Sequence, residues 1–322
     1  MIIEEFPFAV TPHFAALAGP EKDDPIRRQF QPDPQEGIVH AGDLTDPLGE
    51  TAYRVFPRLI HQYRDRALLK VTGICAGHCR FCFRRVWITT AVPFISDEEL
   101  DPICRWLKDH GEVREILLSG GDPLTGSDED LARLFSALRD ARPDILLRLC
   151  TRVPVTDPER INAEIISLCK TMKPLRLVVH INHPKELSPE SRRLLVSFVE
   201  AGIPVHVQTV LLRGINDNAE TLAELFRECL NLGLTPYYLF QLDLAPGTGH
   251  FRVPLRQGLA IYEELKKLIS GLGLPAYAVD LPGGGGKVRL HEGIIAGEKE
   301  TENGIMLLLK GPDGRLWEYP AG

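Results

Sequence analysis

The sequence predicts an α/β protein whose core is a partial (β/α)6 TIM-like barrel of parallel strands. Apolar runs alternate about six times with amphipathic helical stretches along the 322 residues, which is typical of repeated strand–helix units. Most of these runs are almost continuously apolar, as expected of parallel strands covered on both faces. A doubly wound sheet is the structural alternative. The predicted strands are 67–71, 115–118, 145–149, 175–181, 205–212 and 237–242.

The stretches between the strands carry helix start and stop residues. Ser96, followed by acidic residues, and Ser188, followed by a proline, are typical N-caps. Gly202, Gly233 and Gly271 lie where helices are expected to end. The predicted helices are 97–108, 128–139, 158–170, 189–201, 219–232 and 255–270.

Three regions are expected along the chain. Residues 1–60 are rich in Pro, Asp and Gln and predict a segment that wraps the barrel. Residues 61–274 predict the core barrel, and residues 275–322 predict a short strand, a glycine loop and a hairpin. The hairpin is indicated by apolar runs at 305–309 and 316–319 on either side of a Pro-Asp-Gly turn.

Composition excludes several classes of protein. A net charge of -7 argues against direct binding of nucleic acid, which requires a basic surface. The sequence has neither a long apolar run nor a secretory signal, so we expect a cytoplasmic protein that does not span a membrane. Seven cysteines, an odd number, argue against a disulfide scaffold. Four are scattered in apolar stretches and are interpreted as buried small hydrophobes: Cys104, Cys150, Cys169 and Cys229.

Polar residues follow each of the six predicted strands. In a parallel barrel the ends of the strands meet at one rim, where chemistry is expected. In strand order, these residues are the three clustered cysteines, Ser119 to Asp122, Thr151 with Arg152, Asn182 with His183, Arg213 and Asp243.

Cys75, Cys79 and Cys82 form the most specific motif. Three thiolates on a short loop can each bind one iron of a 4Fe–4S cluster and leave the fourth iron open to a small molecule, here S-adenosylmethionine (SAM). The alternatives are structural zinc, with His78 or His61 as fourth ligand, and buried inert cysteines.

A glycine turn, Gly120-Gly121-Asp122, follows the second strand. Two glycines allow a ligand to approach the backbone closely, although a tight turn capped by Asp122 is an equally good interpretation of the turn alone. Beside the cysteine loop, the turn is expected to bind the methionine amino group of SAM.

A run of four glycines, Gly283 to Gly286, precedes Lys287. Bare peptide groups can wrap a phosphate, and a lysine can form a Schiff base with an aldehyde cofactor. This pattern is compatible with pyridoxal 5'-phosphate (PLP), whereas a flexible linker is the simpler alternative.

Asp243 and Asp280 each end a predicted strand on the same rim. The two carboxylates are open to interpretation as an acid–base couple, a metal site or a clamp for a cation, and either alone is often a helix cap. Arg84 and Arg85 follow the cysteine loop and are either a solvated pair or a bidentate site for a substrate carboxylate.

Seven segments together resemble lysine 2,3-aminomutases, which are radical SAM enzymes. The resemblance covers nearly the whole chain from Asp24 onward, with the segments in the same order and at similar spacing. The segments are the cysteine loop with Arg84, EILLSGGDPL (115–124), RLCTRVPV (148–155), HINHP (180–184), QTVLLRGIND (208–217), PYYLFQLD (236–243) and DLPGGGGK (280–287).

The resemblance implies a role for each matching residue. The three clustered cysteines resemble the cluster ligands, and Lys287 resembles the lysine that forms a Schiff base with PLP. Arg84 matches the arginine that binds the amino-acid carboxylate, and Asp243 and Asp280 match the aspartates that bind the distal ammonium of lysine. The positions implied to contact SAM are Gly120, Gly121, Asp122 and Gln208, and Arg66 matches a family arginine near the cofactor.

The implied activity is a 2,3-aminomutase, an isomerase that moves the α-amino group of L-lysine to the β-carbon and gives β-lysine. The reaction breaks an unactivated C–H bond, which a cofactor radical can do and a side-chain base cannot. Alternatives are an aminomutase acting on ornithine, arginine or glutamate, and a lysine aminomutase that serves modification of elongation factor P. A cluster-binding protein without turnover is the non-enzymatic alternative, against which the intact segment 280–287 argues.

Two departures from the family concern substrate and assembly. Long family members carry a C-terminal Cys-rich zinc segment for oligomerisation, which is not found before Gly322. The front half resembles the short relative that modifies elongation factor P, and Phe240 stands where tyrosine or histidine is common. The expected partners are a small amino acid and an electron donor such as flavodoxin or ferredoxin.

Overall fold

Ten strands form one curved, open sheet in the computed structural model, which describes residues 6–40, 42–302 and 304–322. Strands β3 to β9 are all parallel, while β1, β2 and β10 extend the two edges in antiparallel pairing. The strands are β1 (Arg54–Phe56), β2 (Leu59–Tyr63), β3 (Arg66–Thr72), β4 (Glu115–Gly120), β5 (Leu146–Thr151), β6 (Leu175–His180), β7 (Val205–Leu211), β8 (Thr235–Gln241), β9 (Ala276–Leu281) and β10 (Gly286–Arg289).

The predicted α/β partial barrel is confirmed, with one parallel strand more than the six expected in the core. The extra strand is β9, which pairs with β8 although it was assigned to the C-terminal region. The division into three regions at 60 and 274 stays a prediction. The α-helices are α1 (Pro12–Ala16), α2 (Arg27–Phe30), α3 (Arg85–Thr89), α4 (Asp97–Asp109), α5 (Asp128–Ala141), α6 (Val153–Thr156), α7 (Ala163–Thr171), α8 (Pro189–Glu200), α9 (Ala219–Asn231) and α10 (Leu255–Leu268).

Alternate residues of each parallel strand face opposite sides of the sheet. In β4, Ile116 and Leu118 are fully buried in the core that lies between sheet and helices. Leu117, which lies between these two residues, and Ser119, which follows Leu118, line an internal cavity instead. The strands are thus apolar on the helix side, while their inner side carries the residues of a site.

Most predicted helix ends are found in the structure. Ser96 forms a capping box with Glu99, and Gly202 and Gly233 follow their helices with φ of 71° and 74°. Gly271 does not end a helix, because α10 already stops at Leu268.

The helix predicted at 158–170 is divided into shorter pieces. A 3-10 turn at Pro158–Arg160 comes first, and α7 begins only after Asn162, whose side chain accepts from Ile165 N–H. The competing cap at Asn162 explains the late start.

The C-terminal residues form a separate three-stranded antiparallel sheet. The predicted hairpin is present as β12 (Gly304–Lys310) and β13 (Leu316–Pro320). A further strand, β11 (Ile295–Thr301), pairs with β12 and was not predicted, because its run of charged residues lacks apolar alternation. Among the described residues, no helix has the length and apolar character needed to cross a membrane.

Candidate active site

A cavity of about 310 Å³ lies inside the curve of the sheet, at the carboxyl ends of its parallel strands. It brings together most of the residues to which the family resemblance gives a role. Of these residues, Arg66 lies outside the lining, with its guanidinium 3.8 Å from the Tyr63 ring centroid. The other sequence candidates that are not part of the lining are Arg85, Asn182, His183, Arg213 and the glycine run 283–286. The lining includes Cys75, Cys79, Cys82, Arg84, Gly120, Gly121, Asp122, Gln208, Asp243, Asp280 and Lys287.

The cysteine loop directly follows β3 and is held by the N-terminal residues. His78 N–H donates to Ala9 O at 2.8 Å, and Arg80 N–H donates to Gln29 O at 2.8 Å. Residues before the barrel therefore fix the backbone on which the three thiols stand.

The three thiols are free and lie close enough to influence one another. Burial raises the pKa of the Cys75 thiol well above its usual range, with smaller contributions from Asp122, Cys82 and Cys79. Burial also raises the pKa of Cys82 to about 11. Buried thiols of this kind become stable thiolates when positive iron lies beside them, so the donor set fits a cluster.

The zinc alternative finds little support in the positions of its histidines. His78 stacks on Phe6 and its Nδ1 lies 2.9 Å from Pro7 O, while His61 contacts Trp106. Across 6–40, 42–302 and 304–322, no three His, Cys, Asp or Glu side chains surround a point that would hold one metal ion. A cubane cluster makes a different demand, because each thiolate binds its own iron.

The glycine turn after β4 is packed directly against the cysteine loop. Gly121 N–H donates to Thr72 O at 2.6 Å, and Asp122 N–H donates to Ile74 O at 2.8 Å. A Cβ on Gly121 would lie 2.2 Å from Ile74 O, so only glycine permits this approach.

The carboxylate of Asp122 is occupied by the protein itself. It accepts hydrogen bonds from Leu124 N–H, Thr151 Oγ1, Arg152 N–H and Val153 N–H, at 2.6 to 3.2 Å. It therefore holds the backbone after β5 beside the cysteine loop, and a contact of its side chain with SAM stays a prediction.

Lys287 and Asp280 are directly opposite each other in the β9–β10 ladder. Lys287 Nζ lies 2.5 Å from Asp280 Oδ2 and 4.1 Å from the centroid of the Phe240 ring. The lysine is thus held inside the cavity by a carboxylate and an aromatic face.

Asp243 follows β8 and is buried beside the same group. Burial and, next, the negative charge of Asp280 raise the pKa of Asp243 to about 7, while Lys287 and Arg84 oppose the rise. At neutral pH this carboxyl is therefore divided between its acid and its anion, and a cation placed between the two aspartates would favour the anion.

The glycine loop that precedes Lys287 is held by residues from the front of the chain. Gly283 N–H donates to Pro47 O, and Gly284 O accepts from Tyr53 Oη and from Gln62 Nε2, at 3.1 to 3.2 Å. Gly283, Gly284 and Gly286 have φ between 66° and 91°, which explains the glycines.

Lys287 and its surroundings fit an aldehyde cofactor. Lys287 N–H donates to Tyr63 Oη at 2.9 Å, so its backbone is fixed, and its amine points into the cavity toward Asp280. Arg66 lies over Tyr63 at this margin, and its guanidinium is paired with Asp65 at 2.9 Å.

Arg84 lies on the cavity wall and is paired with Glu50, a residue that had no predicted role. Its Nη2 donates to Glu50 Oε1, and Lys70 Nζ is 3.9 Å from the other oxygen of Glu50. The Nε of Arg84 is buried without a partner among the described residues. A carboxylate entering the cavity thus finds a guanidinium with a free donor.

The fold and the cysteine loop are those of the Radical SAM superfamily, whose model matches residues 69–226. A solved radical SAM methyltransferase from Sphaerobacter thermophilus has the same fold, with a TM-score of 0.50 and 20% identity over 69% of this chain and 68% of that one. The protein therefore contains a radical SAM domain.

Three relatives narrow the class to a family. A Treponema pallidum protein provisionally named an L-lysine 2,3-aminomutase is 47% identical, covering 96% of this chain and 87% of that one. The L-lysine 2,3-aminomutase of Clostridium subterminale is 38% identical (98% and 76%), and the glutamate 2,3-aminomutase of Clostridioides difficile is 35% identical (89% and 68%). The chain belongs to the lysine 2,3-aminomutase family and is an isomerase, for which the family implies a 4Fe–4S cluster, SAM and PLP.

Proposed function

We propose that the protein converts L-lysine to β-lysine by moving the α-amino group to the β-carbon. One observation carries the choice of substrate: an alkylammonium group, that of Lys287, lies against Asp280 beside the second carboxylate of Asp243. The distal ammonium of a lysine substrate is the same chemical group. Once Lys287 is engaged by its cofactor, the two aspartates are left for that ammonium.

Arg84 is proposed to bind the substrate carboxylate. Its side chain is buried at the cavity wall with an unpaired Nε, and guanidinium groups bind carboxylates in bidentate fashion. A glutamate substrate would place its side-chain carboxylate against Asp243 and Asp280, which repel it. The two charged ends of lysine therefore match the site and those of glutamate do not.

The three cofactors are assigned to residues of this chain. Cys75, Cys79 and Cys82 would hold the cluster, and Lys287 would hold PLP with Arg66 and Tyr63 at its margin. When bound, the cluster and SAM supply a radical that removes hydrogen from an unactivated carbon, while PLP carries the migrating nitrogen. The side chains orient lysine and exclude water from the cavity. The residues proposed to contact SAM are Gly120, Gly121, Asp122 and Gln208.

The electron donor, such as flavodoxin or ferredoxin, and the cytoplasmic location remain predictions. So does any use of β-lysine in the modification of elongation factor P.

The test is an anaerobic assay of the reconstituted enzyme with lysine, ornithine, arginine and glutamate, with β-amino acids measured by mass spectrometry. We expect lysine to react fastest, ornithine and arginine more slowly, and glutamate not at all. Faster turnover of glutamate than of lysine would refute the role of the two aspartates. Zinc in place of iron in anaerobically purified protein would refute the cluster.

A further inference from the structure

Arg152 is a buried cation that contacts one of the three clustered thiols. It directly follows β5, its side chain is 9% exposed, and its Nη1 lies 2.8 Å from Cys79 Sγ. The strand pattern predicts that this arginine lies on the rim, and the proposed reaction does not use it.

The second terminal nitrogen of the guanidinium, Nη2, is held by a polar network. This nitrogen donates to Glu186 Oε2 at 2.9 Å and to Gln29 Oε1 at 2.5 Å. Glu186 is fully buried, and its Oε1 accepts from Gln29 Nε2 and from the backbone N–H groups of Asn182 and His183, each at 3.0 Å. Every bond that orients Glu186 therefore also orients the arginine.

Two aromatic rings complete the enclosure. The guanidinium carbon lies 5.0 Å from the ring centroid of Phe14 and 5.3 Å from that of Phe81. The cation is thus confined between rings and carboxylate, with one edge left for the sulfur of Cys79.

We propose that Arg152 is a positioning residue that holds Cys79 and raises the reduction potential of the cluster, an inference that rests on the proposed ligation of iron by Cys79. Reduction adds one electron from an external donor to the cluster, and no bond is formed or broken in the protein. A fixed cation that donates a hydrogen bond to a ligand sulfur stabilises the more negative, reduced state.

Glu186 modulates the same effect in the opposite direction. Its carboxylate lies behind the guanidinium, so it partly cancels the positive charge that the cluster experiences. Removing the charge of Glu186 alone should therefore shift the reduction potential in the opposite direction to removing both charges, which a purely structural role of the network does not predict.

The experiment is an EPR-monitored redox titration, with dithionite and mediators, of the anaerobically reconstituted holoenzyme without SAM. The variants are E186Q, R152K and the double variant R152Q/E186Q, which avoids leaving a buried carboxylate unpaired. Iron per chain and thermal unfolding are measured for each, so that loss of the cluster or of the fold is separated from a change in potential.

At a fixed applied potential, we expect the ratio of reduced to oxidised cluster to rise in E186Q and to fall about tenfold in R152Q/E186Q. The tenfold fall corresponds to a midpoint reduction potential that is lower by about 59 mV for one electron. R152K, whose single ammonium cannot reach both Cys79 and Glu186, should fall between the wild type and the double variant. Unchanged reduction potentials in cluster-loaded R152K and R152Q/E186Q would overturn the proposed role of Arg152 and would leave the cluster assignment standing. Wild-type protein that assembles no iron–sulfur cluster would overturn the cluster assignment as well.

Discussion

Lys287 Nζ lies 2.5 Å from Asp280 Oδ2, on two residues that face each other directly across the β9–β10 ladder. Antiparallel pairing places the two side chains on the same face of the sheet, so the ion pair follows from the register. Under the proposed assignment, the amine would have two alternative partners, Asp280 without the cofactor and PLP with it. Holding PLP through Lys287 would then leave Asp280 free for a cationic substrate.

The first prediction concerns Lys287. We expect K287A to abolish turnover and to lose the pyridoxal absorbance after gel filtration, because the cavity offers PLP no covalent anchor without this amine. Absorbance spectra and β-lysine formation are the measurements. K299A is the matched control, since Lys299 is exposed, pairs with Glu318 and is not part of the cavity lining. Full turnover by K287A would show that the assignment is wrong.

The second prediction is a pH dependence that originates at Asp243. Its carboxyl has a pKa raised to about 7 by burial and by Asp280, so it loses its negative charge as the pH falls through 7. Because a cationic substrate needs the anion, kcat/KM for lysine should fall below pH 7, by up to about tenfold per unit. Binding of lysine should conversely release a proton near pH 7.

Asp243→Asn and a substrate without the distal ammonium provide the controls. The variant should bind lysine weakly, with an affinity that no longer changes between pH 6 and 8. Norleucine, which has no distal charge, should bind the wild type without this pH dependence. Equal pH profiles for lysine and norleucine would place the titrating group elsewhere.

The common rim of the site was predictable from sequence because the ends of parallel strands meet in space. This rule predicts that the cysteine loop, Gly121 and Asp243 lie together. The pairing of Arg84 with Glu50 was not predictable, since the two residues are 34 positions apart and neither lies in a pattern that specifies a partner. The contact between Arg152 and Cys79 escaped prediction for the same reason, over 73 positions.

The edges of the sheet were less predictable than its centre. Hydrophobic periodicity predicted the buried parallel strands well, because burial leaves an apolar pattern. Strands β1 and β10 are short, and their burial is incomplete. Their positions depend instead on contacts such as the hydrogen bond from Lys287 N–H to Tyr63 Oη, for which a single sequence contains no pattern.

The third prediction concerns the carboxylate site at Arg84. R84K keeps the charge but loses the planar pair of donors, so we expect KM for lysine to rise by tenfold or more, equivalent to about 1.5–3 kcal/mol for a hydrogen bond to a charged group. Steady-state kinetics measure the change. R193K is the matched control, because Arg193 is exposed on α8 and pairs with Glu190. An unchanged KM in R84K would assign the carboxylate to another residue.

The last prediction tests whether the glycine turn positions the cysteine loop. An added Cβ at Gly121 would lie 2.2 Å from the carbonyl oxygen of Ile74. Because Ile74 immediately precedes Cys75, the cysteine loop would have to move. We therefore expect G121A to fold but to bind much less iron after reconstitution. Gly111 offers a matched control, because a Cβ there has no atom within 4 Å and G111A should bind iron as the wild type does. Normal iron content in G121A would mean that the loop tolerates the shift and that the turn does not position the thiols.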